Sequence, residues 1–140
     1  MNFAFIKRLL RSLSWRSAPR DPRAVLGSGG ERVAARALKR RGHRVLVRNF
    51  RCPMGELDLV TVEGDVIVFV EVKTRADDEH QDPFEAVGAE KWRRVERTAR
   101  YFIGRRGWHD HPMRFDLVTV IRSEAGPPRI EHIEDAYQPR

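Results

Sequence analysis

The chain predicts an α/β (α+β) fold: one mixed sheet flanked by helices, in the order α-β-β-β-α-β-(β). Three observations carry this. Two stretches repeat apolar residues at helical spacing. Several short runs are rich in Val, Ile and Phe, as strands are. Gly- and Pro-containing breaks separate them.

The elements follow in order. After Gly27-Ser-Gly-Gly30 a helix is expected over Glu31–Arg41, with Val33, Ala34, Ala37 and Leu38 at helical spacing and Gly42 as its stop. Arg44–Arg51 reads as a strand, and Cys52-Pro53-Met54-Gly55 as a turn or bulge. Strands at about 56–62 and 66–74 are joined by Glu63-Gly64-Asp65, a short hairpin connection. Residues 75–88 are polar and read as loop. A long helix is expected over Ala89–Arg106, with Trp92, Val95, Ala99, Phe102 and Ile103 on one face and Gly107 at its C-terminal cap. Arg114–Ile121 is a strand, and Ile130–Ile133 a short edge strand after Gly126-Pro127-Pro128.

The chain has 140 residues, enough for one domain with a core of its own. Domain organisation reads as a basic extension over residues 1–23, followed by a single domain over 24–140. Cys52 is the only cysteine, which excludes an internal disulfide and fits a reducing, cytoplasmic location. No run approaches membrane-spanning length. The net charge of +7 favours polyanionic partners. Residues 1–20, however, hold five basic residues and no acid, so the rest of the chain carries only two of those charges. The extension interleaves Phe3, Phe5, Ile6, Leu9, Leu10 and Leu13 with basic residues. It reads either as an unstructured extension or as a basic amphipathic helix giving weak surface association with a membrane.

The stretch Glu56–Lys73 carries the chemistry. Asp58, Glu71 and Lys73 lie inside runs that are otherwise apolar. A buried charge is costly unless it is paired or bound to a metal. Strand alternation puts Glu71 and Lys73 on one face with Ile67 and Phe69, while Val68, Val70 and Val72 face the other way. Both faces are apolar, so the strand is expected to be central. Hairpin pairing can bring Asp58 near Glu71. Glu31 shares the stripe of Ala34, Ala35 and Leu38, so it should face the sheet from the first helical turn. Carboxylates so grouped suit Mg²⁺, which takes oxygen ligands and keeps several waters. A nearby lysine can offset charge on a phosphate. A structural salt bridge from Asp58 or Glu71 to Lys73 is the competing reading.

The ordered motifs Gly27-x-x-Gly30-Glu31, Gly55-Glu56-Leu57-Asp58-Leu59-Val60, Phe69-Val70-Glu71-Val72-Lys73-x-Arg75 and Arg114-Phe115-Asp116-Leu117-Val118 resemble the YraN family (UPF0102) of small bacterial proteins. That family looks like part of the PD-(D/E)XK nuclease superfamily, near the archaeal Holliday-junction resolvases. The resemblance covers about residues 24–136. It implies a restriction-endonuclease-like fold and a metal-dependent endonuclease acting on DNA, branched DNA included. It implies Asp58 and Glu71 as ligands of Mg²⁺ or Mn²⁺, joined by the backbone carbonyl of Val72, with Lys73 as the catalytic lysine. Glu31 would complete the set. Leu57 stands where the superfamily pattern expects a proline. Resolvases act as dimers, which raises a homodimer as an expectation, although no exposed apolar stripe demands one.

Arg75, Lys91, Arg94, Arg97 and Arg100 are the candidate nucleic-acid contacts, the last four on the basic faces of the second helix. A catalytically inactive binding or interaction module on the same fold is the alternative function. Trp108, beside Gly107 at a helix end, is a candidate platform for an unpaired base. His109-Asp110-His111 reads as a solvated loop without partners for zinc.

Overall fold

The computed structural model describes residues 4, 7–8, 22–76, 82 and 85–139, the side chains of residues 22–28 excepted. The amphipathic reading of residues 1–23 falls mostly outside them, although Ala4, Lys7 and Arg8 are helical and exposed.

The order is α1 (Pro22–Arg40), β1 (Arg44–Cys52), β2 (Gly55–Glu63), β3 (Val66–Ala76), α2 (Ala89–Arg106), β4 (Met113–Arg122) and β5 (Arg129–Tyr137). The strands form one sheet in the spatial order β1-β2-β3-β4-β5. All neighbours pair antiparallel except β3 and β4, which are parallel and joined by the crossover through α2. β3 is therefore central, as its apolar faces require. The α/β (α+β) architecture stands as expected, with β5 a full strand.

Side-chain alternation divides the core in two. Leu57, Val60, Val62, Ile67, Phe69, Phe115 and Leu117 pack beneath Trp92, Val95, Ala99, Phe102 and Ile103 of α2. Leu59, Val68, Val70, Val118 and Val120 pack beneath Ala34, Ala35 and Leu38 of α1. Gly107 adopts φ 66° and closes α2, a left-handed conformation that glycine accepts without strain. Trp92 stacks on Tyr137, with ring centroids 5.4 Å apart, and the Tyr137 hydroxyl donates to Glu96 at 2.8 Å. These contacts fasten α2 to the end of β5.

Three expectations need correction. The first helix starts at Pro22, so Gly27, Gly29 and Gly30 lie inside it. Glycine weakens a helix interior by about 1 kcal/mol relative to alanine. At Gly30 it permits close packing: a Cβ there would overlap the Thr74 side chain of β3. The last strand runs over Arg129–Tyr137, not Ile130–Ile133. Its charged residues hide its period, and Asp135, at φ 55°, stands where its register against β4 shifts. Trp108 is 3% exposed and packs edge-on against Phe102. It is core, not a base platform.

Candidate metal centre

Three carboxylates converge from three elements. Close approach at Gly30 brings Glu31 down from α1 onto β3. Because α1 begins at Pro22, Glu31 sits in mid-helix and the helix N-terminus does not stabilise its charge. Asp58 lies early in β2. The β2–β3 register runs from Glu63↔Val66 to Leu59↔Val70. Beyond it, Oδ2 of Asp58 accepts the Val72 N–H at 2.9 Å. Glu71 is 4% exposed.

The carboxylate of Asp58 lies close enough to both glutamates to act on each. Carboxylates grouped in this way favour the protonated form. Burial first, then the charge of Asp58, pushes Glu31 up to about 7. The same causes in the same order push Glu71 up to about 8, against the opposing charges of Lys91 and Lys73. Asn49 of β1, held at φ 53°, hydrogen-bonds Glu31. Asparagine is among the few residues that adopt this left-handed conformation readily. Oε2 of Glu31 is buried and has no hydrogen-bond partner.

An orphaned carboxylate oxygen beside two more carboxylates fits a hard divalent cation. A cation would satisfy the orphan and remove the mutual repulsion. Glu31, Asp58 and Glu71 could hold it. Val72 presents its N–H to Asp58.

The cationic residues divide. Lys91 of α2 lies 3.6 Å from Glu71, so it borders the carboxylates instead of sitting on a detached basic face. Lys73 is half-buried and its charge reaches Glu71. Arg75 approaches Glu131 of β5 at 3.9 Å. Arg94 pairs with Glu90 at 3.9 Å and Arg100 with Glu96 at 3.0 Å, one helical turn away in each case. Arg97 is exposed.

Sequence reasoning missed a second polar cluster. Arg114 of β4 donates to Asp116 from Nε at 2.7 Å and reaches Glu63 at 3.1 Å. His132 Nε2 lies 2.8 Å from the other Asp116 oxygen, and the Asp135 N–H donates to Asp116 at 3.0 Å. Burial alone would raise the Asp116 pKa. The hydrogen bonds from His132, Arg114 and Asp135 overturn that and hold it at about 2. The available signal was Asp116 itself, a carboxylate inside the apolar run Phe115–Ile121.

The profile of the uncharacterised protein family UPF0102 matches residues 30–120. A UPF0102 protein of Beutenbergia cavernae is 45% identical over 109 residues, covering 78% of this chain and 92% of the relative. One of Geotalea uraniireducens is 38% identical over 123 residues, covering 88% and 97%. One of Pelotomaculum thermopropionicum is 40% identical over 118 residues, covering 84% and 98%. The chain belongs to the UPF0102 family.

Proposed function

We propose that this UPF0102 protein is a Mg²⁺- or Mn²⁺-dependent endonuclease of the PD-(D/E)XK type that hydrolyses phosphodiester bonds in DNA, branched DNA included. The observation that carries this reading is the convergence of half-buried Glu31 and Asp58 on buried Glu71, close enough for the Asp58 charge to raise both glutamates, beside Lys73 and Lys91. A purely structural salt bridge would match charges. Here the acids crowd together, and one oxygen is left without a partner.

A divalent ion at this site would make a bound water more acidic and offset charge developing on the phosphate. Asp58 and Glu71 would hold the ion, with Glu31 as the third oxygen donor. Asp58 is pre-oriented by the Val72 N–H, so little side-chain freedom is lost on binding. Lys73 would orient the attacking water or face the phosphate oxygens. Lys91 would steady Glu71 in its ionised form. With three carboxylates against two lysines, the centre attracts cations first and phosphate only once an ion is in place. The protein would act in the cytoplasm; no helix among the described residues is long and apolar enough to cross a membrane.

Cleavage of plasmid and four-way-junction DNA by purified protein, with Mg²⁺ or Mn²⁺, tests this. Asp58→Ala and Lys73→Ala should each abolish a metal-dependent activity shown by the parent. Unchanged cleavage in either variant contradicts the assignment.

The alternative is a binding module, in which exposed Arg97 contacts phosphate and the carboxylates are structural. It predicts DNA binding without cleavage under either ion.

A further inference from the structure

The polar cluster around Asp116 uses none of the residues of the proposed nuclease centre. Asp116 shares its strand face with Val118 and Val120, so the cluster lies on the α1 side of the sheet. Asp116 is 0% exposed and His43 3%. The His132 side chain is 4% exposed. One ligand atom from each of His43, Asp116 and His132 falls within 4.8 Å of the others.

The His43 ring holds the decisive atom. Its Nδ1 lies 2.8 Å from Thr61 Oγ1. Its Nε2 is 3.0 Å from Glu63 Oε2, yet the direction is wrong for an Nε2–H bond, and the atom is buried without a hydrogen-bond partner. With Nδ1–H donating to Thr61, the unprotonated Nε2 stands beside a carboxylate oxygen with its lone pair directed past it. The nitrogen is thus an unused donor next to an anionic oxygen, and a cation placed among them would take both as ligands.

We propose that His43, His132 and Asp116 form a buried site for a zinc-class transition ion, with Glu63 supplying the fourth donor. Four donors around a tetrahedral Zn²⁺ sit about 3.4 Å apart, given metal–ligand bonds of about 2.1 Å. The His43–Glu63 and His132–Asp116 pairs already lie at 3.0 and 2.8 Å. Closing on an ion therefore needs a side-chain adjustment of Glu63 and release of the His132 Nε2 proton that bonds Asp116 in the metal-free protein. Thr61 fixes the His43 tautomer, as outer partners of metal-bound histidines do. Arg114 bonds the Asp116 and Glu63 oxygens that face away from the ion, Oδ1 and Oε1. Its second bond, to Asp116 Oδ2 at 2.8 Å, yields to the metal. The guanidinium charge lowers affinity for any cation, so the site depends on imidazole donors, which favour zinc, nickel and copper over magnesium. The two centres thus sort ions by ligand chemistry. This one has no open position, so its role is structural: it ties the α1–β1 junction and β2 to edge strand β5.

Cobalt titration of the full chain tests the proposal, because tetrahedral Co²⁺ absorbs strongly in the visible range and octahedral Co²⁺ on carboxylates does not. The parent and an Asp58→Asn variant should both show an intense band that equimolar Zn²⁺ abolishes. His132→Gln should lose it, and Thr61→Val should weaken Co²⁺ binding about tenfold. Zinc-edge anomalous diffraction from parent crystals soaked in Zn²⁺ provides a measurement that needs no variant, with a peak expected between His43 Nε2 and His132 Nε2. A band absent from the parent, a band unchanged in folded His132→Gln, loss of the band in Asp58→Asn, or a zinc peak only at His109 and His111 would each overturn it.

Discussion

Oδ2 of Asp58 accepts the backbone N–H of Val72 at 2.9 Å, one residue past Glu71 and one before Lys73. This bond crosses from β2 to β3 just beyond the Leu59↔Val70 pair. A side chain here does the work of a ladder hydrogen bond. Asp58 is thereby locked between Glu31 of α1 and Glu71 of β3.

Substituting Asp58 therefore has two opposed consequences. Asp58→Asn keeps an oxygen for the Val72 N–H and removes the charge that raises both glutamates. In metal-free protein it should be neutral or stabilising by up to about 1 kcal/mol in urea unfolding, while Mn²⁺ affinity falls at least about tenfold. Asp58→Ala orphans the Val72 N–H and should cost about 1–3 kcal/mol. Equal stability of the two variants would contradict this account of the bond.

The raised glutamates give the metal-free protein a definite pH dependence. Each has a folded pKa above its ordinary value of 4.5, Glu31 at about 7 and Glu71 at about 8. Their contribution is therefore fully present below about 4.5 and is lost as pH rises through 7 to 8. Urea midpoints should fall over that window. Saturating Mn²⁺, which binds the ionised forms, should flatten the decline. Calorimetry in buffers of different ionisation enthalpy should show protons released on Mn²⁺ binding at pH 6.

Asp116 behaves in the opposite sense. Its folded pKa of about 2 lies below the ordinary 3.8, so its stabilisation is present above that value and is lost as pH falls towards 2. Asp116→Asn leaves Arg114 and His132 short of a charged acceptor in a buried setting. It should destabilise by about 3–5 kcal/mol in denaturant unfolding and remove part of the acid transition.

Gly30 sets the height of α1 above β3. Gly30→Ala places a methyl group into Thr74 Oγ1 and should cost about 1–3 kcal/mol, with weaker Mn²⁺ binding because Glu31 moves away. Thr74→Ala in the same chain removes the obstructing hydroxyl and should recover most of both losses. Recovery of stability without recovery of metal binding would detach Glu31 from the site.

Much of this was legible in the sequence, for identifiable reasons. β3 announced itself because a strand covered on both faces must be apolar on both, which left Glu71 and Lys73 conspicuous. Glu31 could be placed on the inner stripe of α1 from its spacing to Ala34, Ala35 and Leu38. The start of α1 was not legible, because Gly27, Gly29 and Gly30 read as a break when taken alone; only the nearness of Thr74 explains a glycine there. β5 was shortened because Arg129, Glu131, Glu134 and Asp135 interrupt its apolar pattern. The tie from Lys91 to Glu71 depends on how α2 lies across the sheet, which no local spacing reveals. Asp116 carried the same signal as Asp58, a carboxylate in an apolar strand. Its partners His43 and His132 come from distant segments with no pattern of their own.

The most direct measurement of the central claim is anomalous diffraction from crystals soaked in Mn²⁺. A manganese peak between the Asp58 and Glu71 carboxylates, within ligand distance of Glu31, is the predicted result. No peak there at millimolar Mn²⁺ and neutral to mildly alkaline pH would contradict the metal centre and with it the nuclease reading.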